Sequence, residues 1–208
     1  MPTDRSDQTD GMKTARQRRQ DGASQPARRK LRGTERRVVL EGVGYIVAAT
    51  FLVAALSADG SPSWLGTGAR VIVGLAAFPS CVLWTAPSLR VPRTVLLTVA
   101  LLVQAVAVAL PSVLGGTGAA VVPAVGFGGT FTAITQLWLV TGTALGTPRT
   151  VALLTAGYGL GQVAGPPAVR PVLSHGYRPA LAISGGVLLA AAVCAAPLMR
   201  RAADPAPA

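Results

Sequence analysis

The chain has 208 residues, of which 50% are hydrophobic and 13% charged. Soluble globular domains carry about 25% charge, so an ordinary water-soluble fold is excluded. The net charge of +11 does not describe a basic folded surface, because eleven of the nineteen Lys/Arg and five of the eight Asp/Glu lie in the first 37 residues.

Residues 1–37 are a run of Asp, Gln, Ser, Arg, Gly and Pro without an apolar period. That composition predicts a disordered basic cytoplasmic tail. No apolar h-region opens it, so the first spanning helix is expected to direct insertion. Its basic groups suit anionic lipid. No aromatic residue interleaves them, which argues against nucleic acid as a partner.

From Val38 to Met199 the sequence is six apolar stretches, at 38–57, 70–89, 94–114, 119–142, 149–170 and 179–199. Crossing a hydrocarbon core takes about 20 helical residues, and a helix satisfies its own backbone N–H and C=O groups there. The predicted fold class is an all-α membrane protein with six transmembrane helices. The connections 58–69, 90–93, 115–118, 143–148 and 171–178 are short and rich in Gly, Pro and Ser, and a second tail of residues 200–208 closes the chain. With the amino terminus inside, sixteen basic residues lie on the inner side and three, Arg70, Arg170 and Arg178, on the outer. The excess places both termini in the cytoplasm of a multi-pass plasma-membrane protein.

Taken in order, the first span carries Glu41 and Tyr45 one turn apart. Glu41 is the lone acid in any span, and at mid-bilayer a charge costs about 3 kcal/mol on insertion scales. Three residues past Val38, it is expected near the cytoplasmic interface, hydrated beside Arg36 and Arg37. The competing reading makes it a proton-coupling carboxylate. In the second span Pro79-Ser80-Cys81 is expected to loosen the helix. The third is plain, with Gln104 its one strongly polar side chain. The fourth aligns Gly128, Thr132, Thr135 and Gln136 on one face, with Trp138 nearer the cytoplasmic interface.

The fifth span is the most marked. Gly157, Gly161 and Gly165 recur every fourth residue, a doubled GxxxG that lets a neighbouring backbone approach closely. Pro166-Pro167 follow and predict a kink. Thr155, Tyr158 and Gln162 share a separate face, where they either bond across helices or line a cavity. The sixth span is plain again, holding Ser184 and the thiol Cys194. Plain helices are expected to face lipid and marked helices to surround a polar path. The order of two marked and one plain, repeated, is what an inverted repeat of three helices produces.

Neither Cys81 nor Cys194 has metal-ligand spacing, and both read as small lipid- or helix-facing residues. His175 falls in an outer loop. Catalysis needs a nucleophile with a base, paired acids or a metal set. None is available in the spans, so neither an enzyme, a metal nor a cofactor is expected.

Four segments carry a resemblance: Tyr45-Ile-Val-Ala-Ala-Thr-Phe51-Leu52, Phe78-Pro79-Ser80-Cys81, Gly128-Gly129-Thr130-Phe131 and Tyr158-Gly-Leu-Gly-Gln-Val-Ala-Gly165-Pro166. Together they resemble the C-terminal half of the YbfB/YjiJ-like branch of the major facilitator superfamily, over about residues 38–199. The Gly-Gln-x-x-Gly-Pro run also resembles the glycine–proline motif of antiporters. The resemblance implies that the six spans match helices seven to twelve. The first, second, fourth and fifth would line a cavity, and the third and sixth would be peripheral. Arg90-Val-Pro-Arg93 occupies the place of the superfamily's charged gating loop, without its aspartate and first glycine.

These observations lead to a half-sized transporter moving a small organic solute by alternating access. The path would be lined by Tyr45, Thr132, Gln136, Tyr158 and Gln162, with Glu41 as coupling residue. Pro79, Gly157, Gly161, Gly165, Pro166, Arg90 and Arg93 would serve packing and gating. Such a half calls for a homodimer or a separately encoded N-terminal half. A truncated six-helix fragment and a non-catalytic membrane scaffold are the alternatives. With no buried Arg or Lys expected along the path, an uncharged or cationic amphipathic substrate is favoured.

Overall fold

The computed structural model describes residues 33–55, 63–114, 118–144 and 148–203. Six helices account for nearly all of them: α1 (Gly33–Ala55), α2 (Ser63–Thr85), α3 (Arg93–Ala109), α4 (Gly118–Ala144), α5 (Pro148–Val169) and α6 (Tyr177–Ala203). Four stretches are long and apolar enough to cross a membrane: Gly33–Ala55, Thr67–Leu89, Arg93–Ser112 and Tyr177–Ala195. At 27 and 22 residues, α4 and α5 are also long enough to span. In α5, Gly, Gln and Pro lower the hydropathy below that of α2 and α3.

Two helices start earlier than hydropathy predicts. α1 begins at Gly33, so Glu35, Arg36 and Arg37 are helical and the expected tail is shorter by that turn. Residues 1–32 and 204–208 lie outside the described residues. α2 begins at Ser63 instead of residue 70, because the helix continues through Gly66, Thr67 and Gly68, which interrupt the apolar run.

Prolines shape the ends. After α2 a 3-10 turn, Ala86–Leu89, contains Pro87, whose carbonyl accepts from the N–H groups of Arg90 and Val91, each at 2.9 Å. α3 tightens into a 3-10 turn at Leu110–Ser112 around Pro111. In contrast, α5 continues as α-helix through Pro166-Pro167 to Val169 and only then tightens, over Arg170–His175. Gly176 ends that turn at φ +93°, a conformation that suits glycine, and its N–H donates to the Leu173 carbonyl at 3.0 Å.

Within Glu35–Ala208, which forms one compact unit, α3 packs along both α6 and α4, while α2 packs along α4. α1 meets three helices. Gly42 faces Tyr158 and Gly161 of α5, Gly44 faces Leu188 of α6, and Tyr45 stacks on Phe127 and Phe131 of α4. Leu52, Leu97, Leu101, Ile134, Leu181 and Leu188 are wholly buried in the core between these helices.

Within the single chain, burial does not follow polarity. The spanning window of plain α3 is 56% buried, whereas that of marked α2 is 6% buried. α2 instead presents Val71, Leu75, Phe78 and Val82 outward, Phe78 at 88% exposure. Small residues set the packing within this chain. Gly185 of α6 fits against Ala105 and Ala109 of α3, and Gly126 of α4 against Ala107. In lipid, association comes from such close approach and not from hydrophobicity.

Candidate functional site

A cavity of about 140 Å³ lies between α1, α4 and α5, lined by Val38, Glu41, Thr135, Trp138, Leu139, Val151, Leu154, Thr155 and Tyr158. Helical spacing builds it: Val38 and Glu41 are one turn apart on α1, Thr135 and Trp138 on α4, and Val151, Leu154 or Thr155, and Tyr158 on successive turns of α5. α5 is held there by its glycines. A Cβ at Gly161 would run into the Val39 carbonyl, and one at Gly165 into Ile46, so α1 and α5 are in backbone contact. Gly157 lies against Val39 at the same crossing.

Glu41 is the chemical centre of the cavity. It is 1% exposed, and neither carboxylate oxygen has a hydrogen-bond partner. This corrects the expectation of a hydrated interfacial acid. Because α1 begins at Gly33, Glu41 stands in its third turn, covered by α4 and α5, and not at the helix entrance. Trp138 stands beside the carboxyl with its indole N–H, yet Nε1 too is in no hydrogen bond. Arg36 is exposed. Arg37 is 9% exposed, so a buried arginine exists where none was expected. Arg37 Nε and Nη1 have no hydrogen-bond partner, and no ion pair joins Arg37 to Glu41.

The two threonines of the lining spend their protons locally. Thr135 donates to the Phe131 carbonyl at 3.1 Å, and Thr155 to the Val151 carbonyl at 3.0 Å. Back-bonding of this kind satisfies a hydroxyl within an apolar helix. It leaves only acceptor lone pairs on both oxygens for anything in the cavity.

Beside the cavity runs an aromatic wall. Tyr45 lies 5.7 Å from Phe127, 5.5 Å from Phe131 and 5.8 Å from Tyr158, centroid to centroid. The Tyr158 hydroxyl neighbours Gln162 and Thr135. Of the five path candidates, then, Tyr45, Tyr158 and Gln162 come together at α1–α5. The other two are elsewhere: Gln136 turns to α2, its Nε2 donating to Cys81 Sγ at 3.2 Å, and half-buried Thr132 does not line the cavity. Pro79, Arg90 and Arg93 are exposed on or after α2, away from it, while Pro166 lies within α5.

Sequence reasoning left Trp138 at an interface and did not place it with Glu41. The signal was present: Trp138 follows Thr135 at a spacing of three, on the face already identified in α4.

A family model described as "Uncharacterised MFS-type transporter YbfB" matches residues 6–196. The chain belongs to this major facilitator family. It is therefore a multi-pass membrane protein of a transporter family, and the YbfB-type assignment agrees with the resemblance of its four segments. Comparison with curated proteins and with solved structures gave no match. For a YbfB-type facilitator, a buried ionisable residue in a membrane helix is a functional-site candidate by default, and Glu41 faces the cavity.

Proposed function

We propose that this chain moves a small organic solute across the plasma membrane by alternating access, with Glu41 as the residue that couples movement to an ion. The observation that carries this reading is a buried carboxyl without a partner, lining a cavity between helices of a facilitator-family chain. Burying an ionised carboxylate with nothing to pair it is costly. Binding a proton or a cation removes that cost, so the occupancy of Glu41 biases one arrangement of α1, α4 and α5 over another.

Superfamily members place the path between two six-helix bundles. On this reading the six helices form one such half, both termini face the cytoplasm, and the other half is a second copy of the chain or a separately encoded partner. Tyr45, Tyr158 and Gln162 wall one side of the path, and Arg90 and Arg93 flank the turn between α2 and α3 on the cytoplasmic side.

The test is solute flux in proteoliposomes, with and without a pH gradient, for wild type and Glu41→Gln. Gradient-driven flux in the wild type that disappears in the variant is expected. Unchanged gradient-driven flux in Glu41→Gln would remove Glu41 from the mechanism.

A further inference from the structure

The chemistry of the cavity specifies its occupant further than transport alone does. Its polar atoms are mostly acceptors: the two Glu41 oxygens, with no partner, and the lone pairs of Thr135 and Thr155, whose protons are bonded within their own helices. The residues contributed by α4 and α5 are uncharged. The titratable groups facing Glu41 are Tyr45 and Tyr158, with Arg37 one turn away on α1 and in no hydrogen bond with it. The rest of the lining is aliphatic or aromatic, with Trp138 and Tyr158 beside the carboxyl.

We propose that this cavity binds the ammonium head of an organic cation, with Glu41 as counter-charge and the rings of Trp138 and Tyr158 as its aromatic walls. Three observations converge. A carboxylate buried without a partner is stabilised by a positive group placed against it, and an ammonium competes with a proton for that place. Aromatic faces attract a desolvated ammonium through the ring quadrupole, Trp most strongly. At about 140 Å³, the cavity matches the roughly 150 Å³ of an engineered cavity that accepts benzene, which suits a trimethylammonium group. Thr155 and Leu139 are exposed at its edge, so the remainder of the molecule can extend outward between α4 and α5. An anion would meet Glu41 and two acceptor oxygens, and is excluded on charge.

The proposal deepens the transport reading and rests on it for the role of the bound cation as cargo. Binding is nevertheless measured separately from flux. The purified chain in maltoside micelles is dialysed to equilibrium against labelled choline and against dimethylbutanol, its uncharged carbon isostere. Choline is expected to bind at least about tenfold more tightly than the isostere, a difference of about 1.4 kcal/mol. Glu41→Gln is expected to erase that preference, and an unfolding midpoint no lower than that of the wild type shows that the fold is intact. Glu41→Asp should restore part of the preference, and Trp138→Leu should weaken choline about fivefold.

Equal affinity for the two probes, no binding of either, or full choline binding by Glu41→Gln would overturn the proposal. Gradient-driven flux without choline binding would leave the transport reading standing and remove this one. Choline binding without any flux would do the reverse.

Discussion

Gly161 and Gly42 bring α5 and α1 into backbone contact. A Cβ at Gly161 would stand 3.1 Å from the Gly42 Cα and closer still to the Val39 carbonyl, while one at Gly42 would run into the Tyr158 carbonyl. The crossing sets the position of Tyr158 relative to Glu41, and with it the width of the cavity. Gly161→Val should lower stability by about 1–3 kcal/mol through overpacking, visible as a lower midpoint of thermal unfolding in detergent. Gly159→Ala, where a Cβ meets nothing within 4 Å, should leave that midpoint unchanged.

Ser184 fastens α6 to α1, its buried hydroxyl donating to the Gly44 carbonyl at 2.6 Å. Ser184→Ala removes the bond and leaves that carbonyl its own helical partner. Interhelical hydrogen bonds in membranes average about 0.6 kcal/mol. The variant should therefore unfold slightly earlier and keep its activity. A loss above about 2 kcal/mol would mean that the hydroxyl organises more than this one contact.

Gln104 is wholly buried in α3, and neither its amide nitrogen nor its oxygen has a partner. Leaving a buried polar group unsatisfied costs about 1–3 kcal/mol. Gln104→Met, similar in volume, should raise the unfolding midpoint. A lowered midpoint would show that the amide is satisfied in the bilayer.

Glu41 follows the same arithmetic with a functional cost attached. Glu41→Met removes a buried carboxyl that lacks a partner and should stabilise the bundle by about 1–4 kcal/mol, as replacing buried charged groups with apolar ones often does. Gradient-driven flux should be lost in the same variant. A protein that is both less stable and fully active would contradict the role given to Glu41.

Much of this arrangement could be read from the chain, for identifiable reasons. Runs of about 20 apolar residues have few alternatives to a spanning helix, and Gly157, Gly161 and Gly165 at a spacing of four declare a face. The first turns of α1 and α2 were hidden, because the charges of Glu35–Arg37 and the Gly and Thr among residues 63–69 interrupt the apolar run while the helix continues. Burial within the single chain follows another rule: outside water, an apolar helix such as α3 packs as readily as a polar one, and polarity does not rank helices by depth. Gln136 illustrates the last limit: spacing put it on the face of Thr132, but only the approach of α2 decides that its amide meets Cys81.

The account depends above all on α4 and α5 crossing the bilayer, since they supply most of the cavity and are not among the four stretches that length and hydropathy mark as spans among the described residues. Single cysteines placed in turn in the segments 56–62, 90–92, 115–117, 145–147 and 170–176 and in both tails, in a chain without Cys81 and Cys194, can be labelled in intact cells with an impermeant maleimide. Labelling should alternate from one segment to the next, and the two tails should share a side. Segments 115–117, 145–147 and 170–176 all labelling from one side would place α4 and α5 on the membrane surface and contradict the account.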